Sequence, residues 1–117
     1  MRPEEVGFIN AHGTSTPDND RIEGAALADL FPAGTPVVST KAYTGHTLGA
    51  AGGIEAALTI QALCDQRLPA TAGFAQADPA CRITPTTRTT PLEARVALSD
   101  SLAFGGHNSA LVLRRAD

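Results

Sequence analysis

The sequence predicts a layered α/β chain in the order β-α-β-α-loop-β-β. Two short apolar runs each end in a polar, glycine-containing turn, and a helical segment follows each of them. Two more apolar runs close the chain around a Gly-Gly pair. Strands that alternate with helices define α/β layering, whereas strands alone would point to a sandwich or barrel.

The first strand covers Glu5 to Asn10 and runs into Ala11-His12-Gly13-Thr14-Ser15-Thr16-Pro17. A helix follows from Asp18 to Leu30. Asp18 and Asp20 suit its N-terminal end, and Ile22, Ala26, Leu27 and Leu30 make one apolar stripe. Pro32 and Gly34 end it. The second strand, Pro36 to Thr40, leads into the turn Lys41-Ala42-Tyr43-Thr44-Gly45-His46. The second helix spans about Gly49 to Asp65. Its apolar residues, among them Ile54, Leu58, Ile60 and Leu63, lie on nearly all sides, which predicts that it is largely buried. From Gln66 to Pro91 the chain is rich in Pro, Thr and Ala and has no period, so it reads as a long ordered loop with at most one short strand. A loop of that length in a compact domain covers something. Ala94 to Ser99 and Ser109 to Arg114 read as a hairpin around Phe104-Gly105-Gly106.

The 117 residues, 43% hydrophobic and 18% charged, suit one globular domain over 1–117. A net charge of −3, one Tyr, four Phe and no Trp leave little for phosphate binding or base stacking, so no nucleic acid partner is expected. Cys64 and Cys81 lack C-x-x-C spacing and are not expected to pair. Cys64 sits in the apolar helix, where a buried thiol is usual. The start shows no basic segment followed by an apolar one, and Leu48 to Cys64 is broken by Glu55, Thr59 and Gln61. No membrane span is expected, and the reading is cytoplasmic.

Each of the first two strands ends in a turn that holds a histidine, His12 and His46. Ligands of open α/β sheets sit beyond the carboxyl ends of strands, so both are placed where a site would be. One turn histidine alone is ordinarily a solvated side chain. Two in equivalent places, with Lys41 before the second, weaken that reading. A neutral imidazole pair can hold a carbonyl oxygen by N–H donation, with Lys41 as a fixed positive charge. His12, His46 and His107 are too widely spaced for a zinc motif. The glycines after Lys41 match neither phosphate-loop nor dinucleotide spacing. Glu55, a carboxylate in an Ala/Ile-rich helix, needs a cation or several donors. Phe104-Gly105-Gly106 is either a plain turn or a backbone that offers amides to a ligand, with Phe104 as an apolar wall.

Three stretches in register, Asn10 to Pro17, Ser39 to Gly52 and Phe104 to Asn108, resemble the C-terminal half of the β-ketoacyl-[acyl carrier protein] synthases. The resemblance is to the elongating branch and to polyketide ketosynthase domains, and it runs from about Val6 to Arg114. It implies the second half of a thiolase-like fold, packed against a partner half. It also implies a decarboxylative Claisen condensation of an acyl thioester with a malonyl-carrier thioester, in fatty acid or polyketide synthesis. No cofactor is implied. His12 and His46 match the family histidines that bind the malonyl carbonyl, and Lys41 matches the lysine that tunes them. Phe104 matches the gating phenylalanine, and Gly105 stands beside it at the oxyanion position. Thr14, Thr16 and Thr44 are supporting residues. Glu55 matches a carboxylate of the lysine network and of a structural cation site found in some members, near Asn10 and Ser99.

The departures are equally specific. The family's nucleophilic cysteine belongs to the N-terminal half, and neither Cys64 nor Cys81 aligns with it. Asp100 stands where many members have Asn, Leu102-Ala103 replaces Phe-Gly, and His107 replaces a common Thr. The resemblance therefore implies a chain inactive alone and completed by a Cys-bearing half or full synthase, in a dimer or hetero-oligomer that meets acyl carrier protein. The alternative is a non-catalytic, chain-length-type interaction subunit, and a third is unrelated acyl chemistry by the small chain itself.

Overall fold

Successive residues of a strand face opposite sides of its sheet, and β1 (Phe8–Asn10) uses both sides. Phe8 packs with Val38, Ala62, Leu63 and Ala97, whereas Ile9 packs with Leu27, Val37, Val96 and Leu98. The computed structural model, which describes residues 1–116, thus has two apolar layers, one on each face of a four-stranded sheet. The remaining strands are β2 (Val37–Val38), β3 (Arg67–Leu68), β4 (Thr90–Pro91), β5 (Val96–Ser101) and β6 (Ser109–Arg114). The helices are α1 (Pro17–Leu30), the single turn α2 (Lys41–Thr44) and α3 (Ala51–Asp65).

The sheet order is β2-β1-β5-β6. β1 lies parallel to both neighbours, with Asn10 opposite Val38 and Ser99. β5 and β6 form the expected antiparallel hairpin, with Asp100 opposite Ala110. Leu27 of α1 covers one face, and Ala62 and Leu63 of α3 cover the other.

Two helix expectations need correction. α1 turns Glu23, Gly24 and Leu27 inward, and of the expected stripe Ile22 and Leu30 stand 61% and 62% exposed. The reason is chemical: Glu23 finds N–H donors inside, so its burial costs less than counting charges suggests. α3 buries Ala51, Glu55, Thr59, Ala62 and Leu63 but leaves Leu58 and Ile60 outward. The sheet covers only one side of it. Cys64 shares this outer side and is exposed, not buried as expected.

Local chemistry sets the ends. Pro17 opens α1 where its missing N–H costs nothing, and Asp18 and Asp20 face the positive end of the helix. α3 ends at Gln66, which takes the left-handed conformation at φ 50. The Gln66 side chain then donates to the carbonyls of Leu63 and Ala94 and accepts from the Ala94 N–H, fastening the helix end to the approach to β5. Lys41 to Thr44, part of the expected polar turn, is one helical turn closed by the Gly45 N–H on the Lys41 carbonyl. The long Pro/Thr segment contains the small β3–β4 pair and is tied down by Thr71 N–H to Thr86 O and Thr86 N–H to Val37 O, each 2.7 Å. No helix among the described residues is long and apolar enough to cross a membrane.

Candidate active site

β1 ends at Asn10, and the chain carries His12 just past the sheet. Alternation puts Asn10 and the His12 ring on the α3 side, over Glu55 and Thr59. Asn10 fixes the base of the site. Its amide nitrogen donates to Thr40 Oγ1, the Glu55 carbonyl and Thr59 Oγ1 at 3.0–3.2 Å, and its oxygen accepts from the Thr40 N–H. Strand end, α2 and α3 are locked together by one buried side chain.

Lys41 opens α2 and points inward, its side chain 5% exposed. Its ammonium pairs with Glu55 Oε1 and lies 3.2 Å from His12 Nδ1. Glu55 thus has the cation it needs, while its Oε2 is buried without a partner. A lysine ammonium only donates, so His12 Nδ1 accepts and the ring proton sits on Nε2. Burial, and then the Lys41 charge, lower the His12 pKa below 6.5 against the opposing pull of Glu23. His12 is neutral at neutral pH.

His46 follows α2 and is exposed. Its Nδ1 accepts the Leu48 N–H at 3.2 Å, which again leaves the proton on Nε2. The two imidazoles meet edge to face, centroids 5.4 Å apart. The result is two N–H donors on neighbouring rings, the kind of group that can stabilise an oxygen on which negative charge develops.

A buried carboxylate behind this pair was missed in the sequence. Glu23 accepts the N–H groups of His12 at 2.7 Å and Gly13 at 2.9 Å, and the Asn19 amide at 2.8 Å. Its signal was the spacing Asn19-Glu23-Leu27, one inward line on α1. Gly13 is required at its position: its φ is +41°, and a Cβ there would lie 2.6 Å from Ser39.

The other expected residues divide. Thr14 and Thr16 join their hydroxyls at 3.0 Å beside the site, and Thr14 lines a cavity of about 570 Å³ with Lys41 and His46. Residues of the long loop, Thr71 to Phe74 among them, form the far wall of this cavity, so that segment does cover something. The Thr44 hydroxyl donates to the Gly45 carbonyl, shaping the turn before His46. Phe104 and Gly105 lie at the exposed hairpin turn, outside the buried cluster, with Gly105 and Gly106 both at φ 79°. Of the residues around the expected cation position, the Asn10 amide is used by its neighbours, whereas Glu55 Oε2 is buried with no hydrogen-bond partner. Cys81 borders the cavity, but burial and then Asp78 and Asp20 push its thiol pKa up, away from a nucleophilic thiolate.

Fold and site together define a thiolase-like chain in which two histidine rings meet at the end of the sheet, one of them backed by a buried Lys–Glu pair. The family model for the C-terminal domain of β-ketoacyl synthases matches residues 1–75, and the chain belongs to that family. It is 41% identical, over 98% of its length, to a 3-oxoacyl-[acyl-carrier-protein] synthase 2 of Synechocystis, and covers 29% of that protein. Among solved structures it is similar to a ketosynthase in complex with its chain length factor from Xenorhabdus doucetiae, with TM-score 0.86, 44% identity, and coverage of 99% of this chain and 30% of that one. It is also similar to a chain of the complex described as a type II polyketide synthase acyl-carrier protein with its ketosynthase bound to the hexaketide, with TM-score 0.93, 31% identity, and coverage of 100% of this chain and 30% of that one. The chain therefore spans under a third of the length of these relatives.

Proposed function

We propose that this chain supplies the carbonyl-binding half of a β-ketoacyl-[acyl carrier protein] synthase. The observation that carries this reading is the chain Glu55–Lys41–His12, with His46 edge-on to His12 and a proton on Nε2 of each ring. A malonyl thioester placed there puts its carbonyl oxygen on the two Nε2–H groups. Loss of CO₂ breaks the bond between carboxylate and α-carbon, and the electron pair becomes an enolate whose oxygen charge the histidines hold. The α-carbon then attacks the acyl thioester carbonyl on a cysteine of the N-terminal half. A carbon–carbon bond forms, the carbon–sulfur bond breaks, and the cysteine leaves as thiolate. Lys41 keeps Nδ1 of His12 occupied, so Nε2 carries the proton throughout.

The partners are a Cys-bearing half or full synthase and acyl carrier protein bearing acyl and malonyl groups. The catalytic part rests on shared sequence with a 3-oxoacyl-[acyl-carrier-protein] synthase, and the assembly on the outward apolar residues of α3 and β6. A chain-length-type role without chemistry has no need for a buried Lys–Glu pair directed at one histidine nitrogen. The test is to purify this chain with its Cys-bearing half and measure cysteine acylation and malonyl decarboxylation separately. His46→Ala should lower decarboxylation about 10²–10³-fold and acylation far less. Decarboxylation at the parent rate would give first place to the interaction subunit.

A further inference from the structure

Alternation along β5 puts Val96, Leu98 and Asp100 on the face that α1 covers, where the first two pack around Leu27. Asp100 ends this apolar row as a carboxyl group only 8% exposed, and its Oδ1 has no hydrogen-bond partner. Leu27 of α1 packs with Leu98; Glu23 stands one turn before Leu27 and Asp100 two residues after Leu98, which brings the two carboxyls together near the main chain of His12. Glu23 already accepts the His12 and Gly13 N–H groups and the Asn19 amide. Two buried carboxyls around one set of donors cannot both stay ionised without strong repulsion, and the donors are held by Glu23.

We propose that Asp100 is a positioning residue that works as a neutral acid: its O–H donates to Glu23, and Glu23 in turn holds the main chain of His12 and Gly13. Burial, then the Glu23 charge and the hydrogen bond to it, push Asp100 up to about 7. The proton is thus shed as pH rises past neutrality. The groups that face Asp100 are Glu23 from α1 and His12 from the loop after β1, while β6 places only Ala110 opposite it. Lys41 of α2, His46 and Asp20 act on the His12 ring beyond. Ionised, Asp100 repels Glu23, and the clamp on the two amides loosens. His12 then shifts from Lys41 and His46, and the donor pair loses its common aim.

The kinetic part of this proposal rests on the condensing-enzyme reading, and the spectroscopic part does not. In the ¹⁵N-labelled complete enzyme, the His12 and Gly13 amide resonances should move together with a midpoint near about pH 7. In Asp100→Asn, whose amide donates at every pH, that movement should vanish. Malonyl decarboxylation by the parent should fall about tenfold between about pH 7 and about pH 9, and Asp100→Asn should remove the fall. Asp100→Leu fills the space without donating, and should be slow at every pH. Amide resonances that stay still, or that move equally in Asp100→Asn, would overturn the proposal. If the parent decarboxylates at no pH while the amides behave as described, the assigned activity fails and the clamp stands.

Discussion

A neutral imidazole is the state that suits this site, and burial together with Lys41 enforces it on His12. Lys41 occupies Nδ1, burial penalises the imidazolium, and Glu55 pairs with the Lys41 ammonium. A lowered histidine pKa has a defined sign in folding. Its contribution to stability is complete above 6.5 and is lost as pH falls from there through the folded value. The His12 ring resonance, followed by NMR in the assembled protein, should therefore titrate below 6.5, and a midpoint above it would contradict the tautomer assigned here. Lys41 is held as one member of a buried pair, so Lys41→Ala leaves Glu55 stranded and should cost about 3–5 kcal/mol by denaturant unfolding. Lys41→Met with Glu55→Gln should recover most of that stability but not decarboxylation. Recovery of both would remove Lys41 from the mechanism. The meeting of His12, Lys41 and His46 was legible in the sequence, because polar turns at neighbouring strand ends come together beyond the sheet. Glu55 was legible because a carboxylate in an apolar helix demands a partner. Glu23 was hidden, since periodicity counts a charge as outward-facing and cannot see the main-chain donors that welcome it.

At the scale of elements, the ends of α3 decide how the site is held. The helix begins beside the histidine turn, after Leu48 at φ 53, and ends at Gln66, also left-handed at φ 50. Its middle supplies Glu55 and Thr59 to the site, so a slip of the helix would move the Lys41 pair. Gln66 opposes such a slip with three side-chain hydrogen bonds to Leu63 and Ala94. Gln66→Ala keeps the strained backbone and loses all three, and should destabilise the fold by about 1–3 kcal/mol. Hydrogen exchange at the Ala94 amide, which donates to Gln66 Oε1, should quicken first. Unchanged protection there would show that the fastening is idle. The order of the sheet strands and the two long helices could be read from the sequence, as could the hairpin, whereas α2 and the β3–β4 pair could not. The inward faces could not: α1 and α3 follow what the sheet offers them, a set of donors for Glu23 and one-sided cover for α3, and neither is written in helical periodicity.

Over the whole molecule, the sheet ends in β6, an edge strand with an unpaired outer backbone along six residues. Leu111 and Val112 on it are 46% and 50% exposed, and Ile60 on α3 is 47% exposed. A long apolar edge of this kind is a template for pairing and is normally covered. The relatives are more than three times as long as this chain, so protein is available in them to cover it. The chain alone should therefore associate, with itself where no partner is supplied. Sedimentation should show mass rising with concentration, accompanied by binding of a dye that reports apolar surface. Leu111→Lys with Val112→Lys should shift the balance towards monomer, because the strand's pairing to β5 is kept while its outer surface gains charge. Adding the Cys-bearing half should compete with self-association and abolish the dye signal. A monomer at high concentration that binds no dye would show that the edge protects itself, and the split-site reading would lose its structural support.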